Sequence, residues 1–276
     1  MLLKGIAVLS LLSAAFFHIR FDPALWLTLA VIAGSALALL LAAFLFLCLV
    51  CAAVDLDKPQ ETDSRFYRIV MHIYIEALIP LVGLKVQTQG LEKTPKTGRF
   101  LLVCNHQNES DPGILLHYFR RSQLAFISKK ENASMFAVGK FMHRCLCQLV
   151  NRENDREALK TILTCIRMIK EDKVSIGAFP EGGIKEKDKL NPFRSGMFKI
   201  AQKANVPIVV CTMKGTSDLF HNIRRLKRTH VQLHLVDVIP AEALAGRTTV
   251  DISHQVYRMM LADLGPEYAL EDAQNT

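Results

Sequence analysis

A long uncharged segment near the N-terminus is the feature that most constrains this chain. Between Ala24 and Val54 there is no charged side chain, and Thr28 and Ser35 are the only hydroxyl-bearing residues. A helix of about 20 apolar residues is long enough to cross the hydrocarbon core of a bilayer. The segment therefore predicts a transmembrane helix, with length to spare for a tilt.

The preceding segment, Leu2 to Ile19, is also apolar apart from Lys4 and His18. A basic residue before a short apolar stretch is typical of a signal peptide. Alternatively, this segment is a first membrane helix, joined to the second by a turn at residues 20–23. We favour this helical hairpin, because two adjacent apolar helices can pack together. Basic residues flank both ends of the hairpin, so we expect a protein of the cell membrane whose remaining domain faces the cytoplasm.

Three regions follow from this pattern. We assign residues 1–54 to the membrane anchor, 55–84 to a linker with an amphipathic helix, and 85–276 to a cytoplasmic domain. The chain has a net charge of +8 at pH 7, nearly all of it beyond the anchor. A basic domain held at a bilayer is suited to anionic lipids or phosphorylated substrates. We expect no nucleic-acid partner, because no nucleic-acid-binding motif accompanies the charge.

The domain alternates short apolar strands with helical segments. Candidate strands begin at Lys85, Phe100, Leu124, Gln148, Val174, Ile208 and Val231. Strands separated by helices are typical of crossover connections, so the predicted fold class is α/β: a mainly parallel sheet with flanking helices, preceded by the hairpin. The amphipathic helix from Phe66 fits either packing on the domain or lying on lipid headgroups.

Two polar loops stand where predicted strands end, the position at which parallel sheets bind ligands. The first contains His106 and Asp111, with Pro112 opening a helix and Asp111 as its cap. One ring nitrogen of His106 can accept a proton while the other donates to Asp111, so the histidine is a candidate general base. By itself, a histidine five residues before an aspartate is a common coincidence.

The second loop follows the strand at Val174–Phe179 and reads Pro180-Glu181-Gly182-Gly183. Glycines let the backbone approach a ligand closely. The carboxylate of Glu181 offers an acceptor for substrate hydroxyls. An ordinary strand-ending turn would have the same composition, so this loop alone does not identify a site.

Taken together, these segments resemble the glycerolipid acyltransferases of the PlsC type, the 1-acylglycerol-3-phosphate acyltransferases. The resemblance spans about residues 83–240 and does not cover the anchor. It rests, in chain order, on Gly90-Leu91-Glu92, Asn105-His106 with Asp111, Gln148-Leu149-Val150-Asn151-Arg152-Glu153, Phe179-Pro180-Glu181-Gly182, Pro192-Phe193-Arg194-Ser195-Gly196 and Val206-Pro207-Ile208-Val209.

The resemblance implies an enzyme that moves a fatty acyl group from acyl-CoA or acyl-carrier protein to the sn-2 hydroxyl of lysophosphatidate, giving phosphatidate. His106 would be the general base and Asp111 its partner. No metal and no cofactor is implied beyond the thioester co-substrate. The implied substrate-binding residues include Asn105, in the same block as His106.

Further binding roles follow from the same resemblance. Arg152 would bind the phosphate of the acceptor, and Glu181 would hold its glycerol moiety. The backbone N–H groups of Gly182 and Gly183 are candidate donors to the tetrahedral oxyanion.

One departure from the family concerns the phosphate. The third block of the family usually continues Thr-Arg after Pro-Glu-Gly, whereas Gly183 and Ile184 occupy those places here. Phosphate binding could therefore shift to Lys185, or to Lys129 and Lys130. The acceptor headgroup stays open, and another lysolipid is the alternative within the family.

Two other classes of function remain as alternatives. One is a lipid or thioester hydrolase, although the sequence contains no GxSxG nucleophile motif. The other is a lipid-binding membrane protein in which the His–Asp pair is structural. A basic run, Arg224-Arg225-Leu226-Lys227-Arg228, is either solvated surface or a contact with anionic lipid or an acidic carrier protein.

Overall fold

Two long helices form the predicted hairpin in a computed structural model that describes residues 1–151 and 154–270. They are α1 (Leu2–Phe21) and α2 (Leu25–Ala52), and they pack against each other. Both are long and apolar enough to cross a membrane. Only 17% and 11% of their most apolar stretches are buried, so their apolar side chains face outward, unlike those of a core helix.

An α/β domain follows the hairpin. Its strands are β1 (Leu84–Gln89), β2 (Leu101–Cys104), β3 (Leu124–Lys129), β4 (Gln148–Val150), β5 (Ser175–Ala178), β6 (Ile208–Lys214) and β7 (Thr229–Ile239). Its helices, together with the linking helix α3, are α3 (Arg65–Leu81), α4 (Asp111–Tyr118), α5 (Phe136–Arg144), α6 (Asp155–Lys170), α7 (Lys199–Ala204), α8 (Leu219–Arg224) and α9 (Thr249–Leu264).

The strands form one sheet in the order β1-β7-β6-β2-β5-β3-β4. Strands β2 to β6 are mutually parallel, which confirms the mainly parallel sheet. Strand β7 runs antiparallel to β6 and pairs in parallel with β1. The reversal arises because the β6–β7 connection carries only the short helix α8 and returns along the same edge, without a crossover over a face of the sheet.

The central strand β2 positions the polar loop that follows it. Leu101, Leu102, Val103 and Cys104 are all fully buried, as expected for a parallel strand covered on both faces. Side chains of α6, α7 and α9 pack on one face of the sheet. Those of α4 and α8 pack on the other face. The chain leaves this core abruptly at Asn105, so the following loop has a rigid base.

Helix α3 joins the hairpin to the domain. On its inner face, Tyr67, Val70 and Met71 pack with the end of α2 and with α5. The Tyr67 hydroxyl also donates to the Val50 carbonyl at 3.1 Å. Large apolar side chains stay exposed elsewhere on α3. They are Phe66 and Ile69, which lie off the inner face, and Leu78 and Leu81 in the last turn. Packing on the domain therefore accounts for the inner face of this amphipathic helix, and contact with lipid headgroups stays a prediction.

His72, also on α3, is a half-buried base whose two ring nitrogens are both shielded from solvent. Neither ring nitrogen has a hydrogen-bond partner among the described residues. Burial lowers the pKa of His72 to about 4, and the charge of Arg68 adds to the effect. Its ordinary value is about 6.5, so the unfolded chain binds this proton first as the pH falls. Stability from neutral His72 is therefore complete above pH 6.5 and is lost towards pH 4.

We expect His72 to lower the free energy of unfolding by about 1 kcal/mol between pH 7 and pH 5, since partial exposure to solvent screens part of the effect. His72→Leu should remove this part of the pH dependence, and chemical unfolding in detergent at both pH values would measure it. His254→Leu, at an exposed position on α9, is the matched control. An unchanged pH dependence in His72→Leu would contradict the assignment.

Candidate active site

The two polar loops meet at one edge of the sheet. Strand β2 lies beside β5, with Val103 opposite Ala178, so the loops after these strands leave the sheet at the same level. Strand β3 is the other neighbour of β5 and ends at the same edge. The structure thus brings together the His106 loop, the Glu181 loop and the end of β3.

His106 and Asp111 form a hydrogen-bonded pair. The Nδ1 atom of His106 lies 2.9 Å from Oδ2 of Asp111, and the carboxylate is fully buried while 15% of the histidine side chain is exposed. The same oxygen accepts the backbone N–H groups of Gln107 and Asn108, at 2.7 and 2.8 Å. Since the carboxylate accepts from Nδ1, the free lone pair is on Nε2, as a general base requires.

The capping role predicted for Asp111 was wrong by one position. Helix α4 begins at Asp111, and Ser110 occupies the N-cap. The Asp111 carboxylate turns back onto the preceding loop because three donors converge on its Oδ2 atom. Its place in the first helical turn therefore serves the loop and the imidazole.

An aromatic stack fixes the plane of the imidazole. The Phe179 ring lies 4.0 Å from the His106 ring at an interplanar angle of 17°. Phe126 in turn stacks on Phe179, with the two ring centroids 5.7 Å apart. A Cβ atom at Gly177 would lie 2.6 Å from the Phe126 ring, so only glycine leaves room for this stack. Sequence patterns gave no indication of these ring contacts.

Glu181 links the two loops. Its Oε1 atom accepts the backbone N–H of His106 at 2.7 Å, and its Oε2 atom accepts the backbone and side-chain N–H groups of Asn191, at 2.9 and 2.8 Å. The residue is 1% exposed, and burial raises the pKa of its carboxyl group. Protein donors thus engage both oxygens that were predicted to hold glycerol.

Asn105 ties β2 to β6. Its Oδ1 atom accepts the Met213 backbone N–H at 2.7 Å, and its Nδ2 atom donates to the Met213 carbonyl at 2.9 Å. The side chain is 2% exposed. This predicted substrate-binding residue therefore holds the start of the catalytic loop in place.

Arg194 reaches the glycine turn of the second loop. Gly182 and Gly183 have φ angles of +75° and +148°, and the Gly182 N–H donates to the Phe179 carbonyl at 3.1 Å. A Cβ atom at Gly182 would lie 2.8 Å from Nε of Arg194. The Arg194 backbone N–H donates to the Pro180 carbonyl at 2.8 Å. In the sequence, Arg194 was noted only as part of a segment that resembles the family, and its contact with the glycine turn was not predicted.

Of the other predicted phosphate ligands, Lys129 and Lys130 lie at the end of β3. Lys129 is the last residue of β3 and is exposed. Lys130 pairs with Glu157 at 2.8 Å. Lys185 is exposed in the segment after the glycine turn. Arg152 lies outside the described residues, so its role stays a prediction.

Related sequences belong to acyltransferases. A family described as Acyltransferase matches residues 85–214. The chain is 29% identical over 179 residues to a probable 1-acyl-sn-glycerol-3-phosphate acyltransferase of Mycoplasma pneumoniae, covering 63% of this chain and 64% of that protein. It is 28% identical over 195 residues to the 1-acyl-sn-glycerol-3-phosphate acyltransferase of Haemophilus influenzae, covering 70% and 80%. The chain thus spans just under two thirds of the Mycoplasma protein.

The fold is similar to the crystal structure of the 1-acyl-sn-glycerophosphate acyltransferase PlsC from Thermotoga maritima. The TM-score is 0.61 at 18% sequence identity, and the match covers 95% of this chain and 96% of that chain. At this identity the similarity concerns the fold alone. Because it covers nearly all of both chains, it extends well beyond residues 85–214.

Proposed function

Residues 85–214 of this chain form a domain of the acyltransferase family, and from this premise we propose that the protein acylates lysophosphatidate. The fatty acyl group of a thioester would move to the sn-2 hydroxyl, giving phosphatidate. The observation that carries the proposal is the His106–Asp111 pair, oriented at 2.9 Å on a domain attached to an apolar hairpin. The names of the relatives support this acceptor.

The chemistry needs a base because a hydroxyl is a poor nucleophile. Nε2 of His106 takes the hydroxyl proton while the oxygen attacks the thioester carbonyl carbon. The buried Asp111 carboxylate stabilises the imidazolium that forms. When the C–S bond breaks, the thiolate leaves with the proton that His106 holds. The N–H of Gly183 is the remaining candidate donor to the oxyanion, since the Gly182 N–H is engaged in the turn.

Direct transfer, without an acyl-enzyme intermediate, agrees with the surroundings of His106. A thioesterase or lipase of the covalent type would need an activated nucleophile. The neighbouring thiol, Cys104, is fully buried, and burial raises its pKa well above the ordinary value. It therefore stays protonated and unreactive.

An acyl-transfer assay tests the proposal. Membranes containing the full chain should convert lysophosphatidate to phosphatidate with acyl-CoA or with acyl-carrier protein, each supplied separately. The same assay identifies the donor. Release of free fatty acid without phosphatidate would identify a hydrolase instead. Binding of lysophosphatidate without turnover on either donor would indicate a lipid-binding protein.

Arg194 is our candidate for the role of the arginine that Ile184 replaces. Its side chain lies on the turn that precedes Ile184, and a guanidinium suits phosphate recognition. Arg194→Ala should raise the KM for lysophosphatidate about tenfold with little change in kcat. Arg258→Ala, at an exposed position on α9, is the matched control.

The rescue experiment makes this prediction specific. Adding Ile184→Arg to Arg194→Ala returns a guanidinium at the family's usual position and should restore much of the lost affinity. Monoacylglycerol, which lacks the phosphate, should show no KM difference between wild type and Arg194→Ala. An unchanged KM for lysophosphatidate in Arg194→Ala would assign the phosphate to other cations.

A further inference from the structure

A basic loop, residues 224–228, consists of the last residue of α8 and the turn after it, and it presents one leucine between pairs of cations. Leu226 is 96% exposed, and its backbone is left-handed, with φ +52°. This conformation costs free energy for a residue other than glycine. So exposed a side chain adds almost no packing energy to the domain. Contact with a surface outside the domain therefore explains the exposed, left-handed Leu226 better.

The basic loop packs on the end of α3. The Thr229 N–H, directly after the loop, donates to the Gly83 carbonyl at 3.0 Å. The backbone of Lys227 also lies close to Gly83: a Cβ atom added to this glycine would be 3.3 Å from the Lys227 carbonyl oxygen. Leu78 and Leu81, in the last turn of α3, are 50% and 69% exposed. Exposed leucines and cations thus share this corner of the molecule.

This corner is continuous with the membrane anchor. Glu76 of α3 binds the Met1 ammonium group at 2.6 Å, and Met1 stands at the start of α1. That ion pair therefore places Glu76 beside the first residue of the hairpin. From Glu76 to Gly83 the chain advances about two helical turns, about 10 Å, so the basic loop lies close to this end of the hairpin.

We propose that the basic loop docks on the anionic surface of the membrane that holds α1 and α2, with Leu226 inserted among the headgroups. Arg224, Arg225, Lys227 and Arg228 contact lipid phosphates, and the leucine enters the apolar boundary beneath them. An acidic carrier protein would satisfy the cations, but it would not explain the leucines that continue towards the hairpin. This inference does not depend on the proposed acyl transfer.

A single tryptophan placed in the loop tests the docking. The chain has one tryptophan, Trp26, so Trp26→Phe gives a silent background for Leu226→Trp. In vesicles of anionic and brominated phospholipids, the introduced tryptophan should shift to shorter emission wavelengths. Quenching by the brominated chains should remove at least about half of its emission, as expected for insertion 5–10 Å deep. Val250→Trp, at an exposed position on α9, should keep its emission.

The hairpin holds every variant in the vesicle, so quenching reports on the loop alone. Changing the four loop cations to glutamine should abolish most of the quenching, as should vesicles of zwitterionic lipid only. Emission at position 226 equal to that of the Val250→Trp control would overturn the proposal. So would a spectral change that requires added acyl-carrier protein, which would make the loop a protein-docking site.

Discussion

Replacing His106 with alanine should reduce acyl transfer by about 10²–10⁴-fold, the usual contribution of a general base. The reason is specific to this site. Asp111 orients Nδ1 and Phe179 holds the ring plane, and the alanine side chain has no group that can take the proton. Turnover of lysophosphatidate with a saturating thioester donor measures the loss.

The variant should remain folded and bound to the membrane. Loss of the ring leaves a space beside Phe179, so thermal unfolding and membrane fractionation must accompany the assay. His254→Ala, at an exposed position on α9, controls for the removal of a histidine as such. Substantial activity in a folded His106→Ala protein would refute the mechanism.

Glu181→Gln should lower kcat about 100-fold, since a small displacement of a catalytic group can cost that much. The carboxylate accepts from the His106 backbone and from two N–H groups of Asn191. The amide group of glutamine cannot accept at one of these positions, so a buried donor loses its partner. That loss should also cost about 1–3 kcal/mol of unfolding free energy.

The kinetic constants separate two roles for Glu181. As a positioning residue that acts through His106, its replacement lowers kcat and leaves the KM for lysophosphatidate nearly unchanged. As a ligand for glycerol, its replacement would instead raise KM. Glu186→Gln, at an exposed position in the following segment, is the matched control. A raised KM with normal kcat would return Glu181 to the substrate-binding role.

Local sequence patterns predicted most of the fold. The central strands β2, β3, β5 and β6 were predicted from short apolar runs, because buried parallel strands are continuously hydrophobic. Helix α8 was missed, since six residues are too few to establish a helical period. The antiparallel direction of β7 was also missed, because strand pairing depends on how distant segments meet.

The site was predicted less completely than the fold. The His106–Asp111 pair lies within one loop, so its spacing could be read along the chain. The stack on Phe179 and the contact of Arg194 with Gly182 join separate segments, and only the path of the loops creates them. For the same reason, the sequence could not reveal that N–H groups of His106 and Asn191 bind both carboxylate oxygens of Glu181.

The contacts of α3 also bear on how lipid reaches the site. Through Tyr67 and Glu76, this helix is bonded to both members of the hairpin, and its inner face packs on the domain. The position of the site relative to the hairpin is therefore fixed by packing and hydrogen bonds, and in the described part of the chain no flexible linker separates the two. With a membrane lipid as the acceptor, as proposed, a site fixed in this way would meet it by lateral diffusion, at a local concentration set by geometry. Its saturation would then follow the mole fraction of lysolipid in the membrane, and bulk dilution would leave it unchanged.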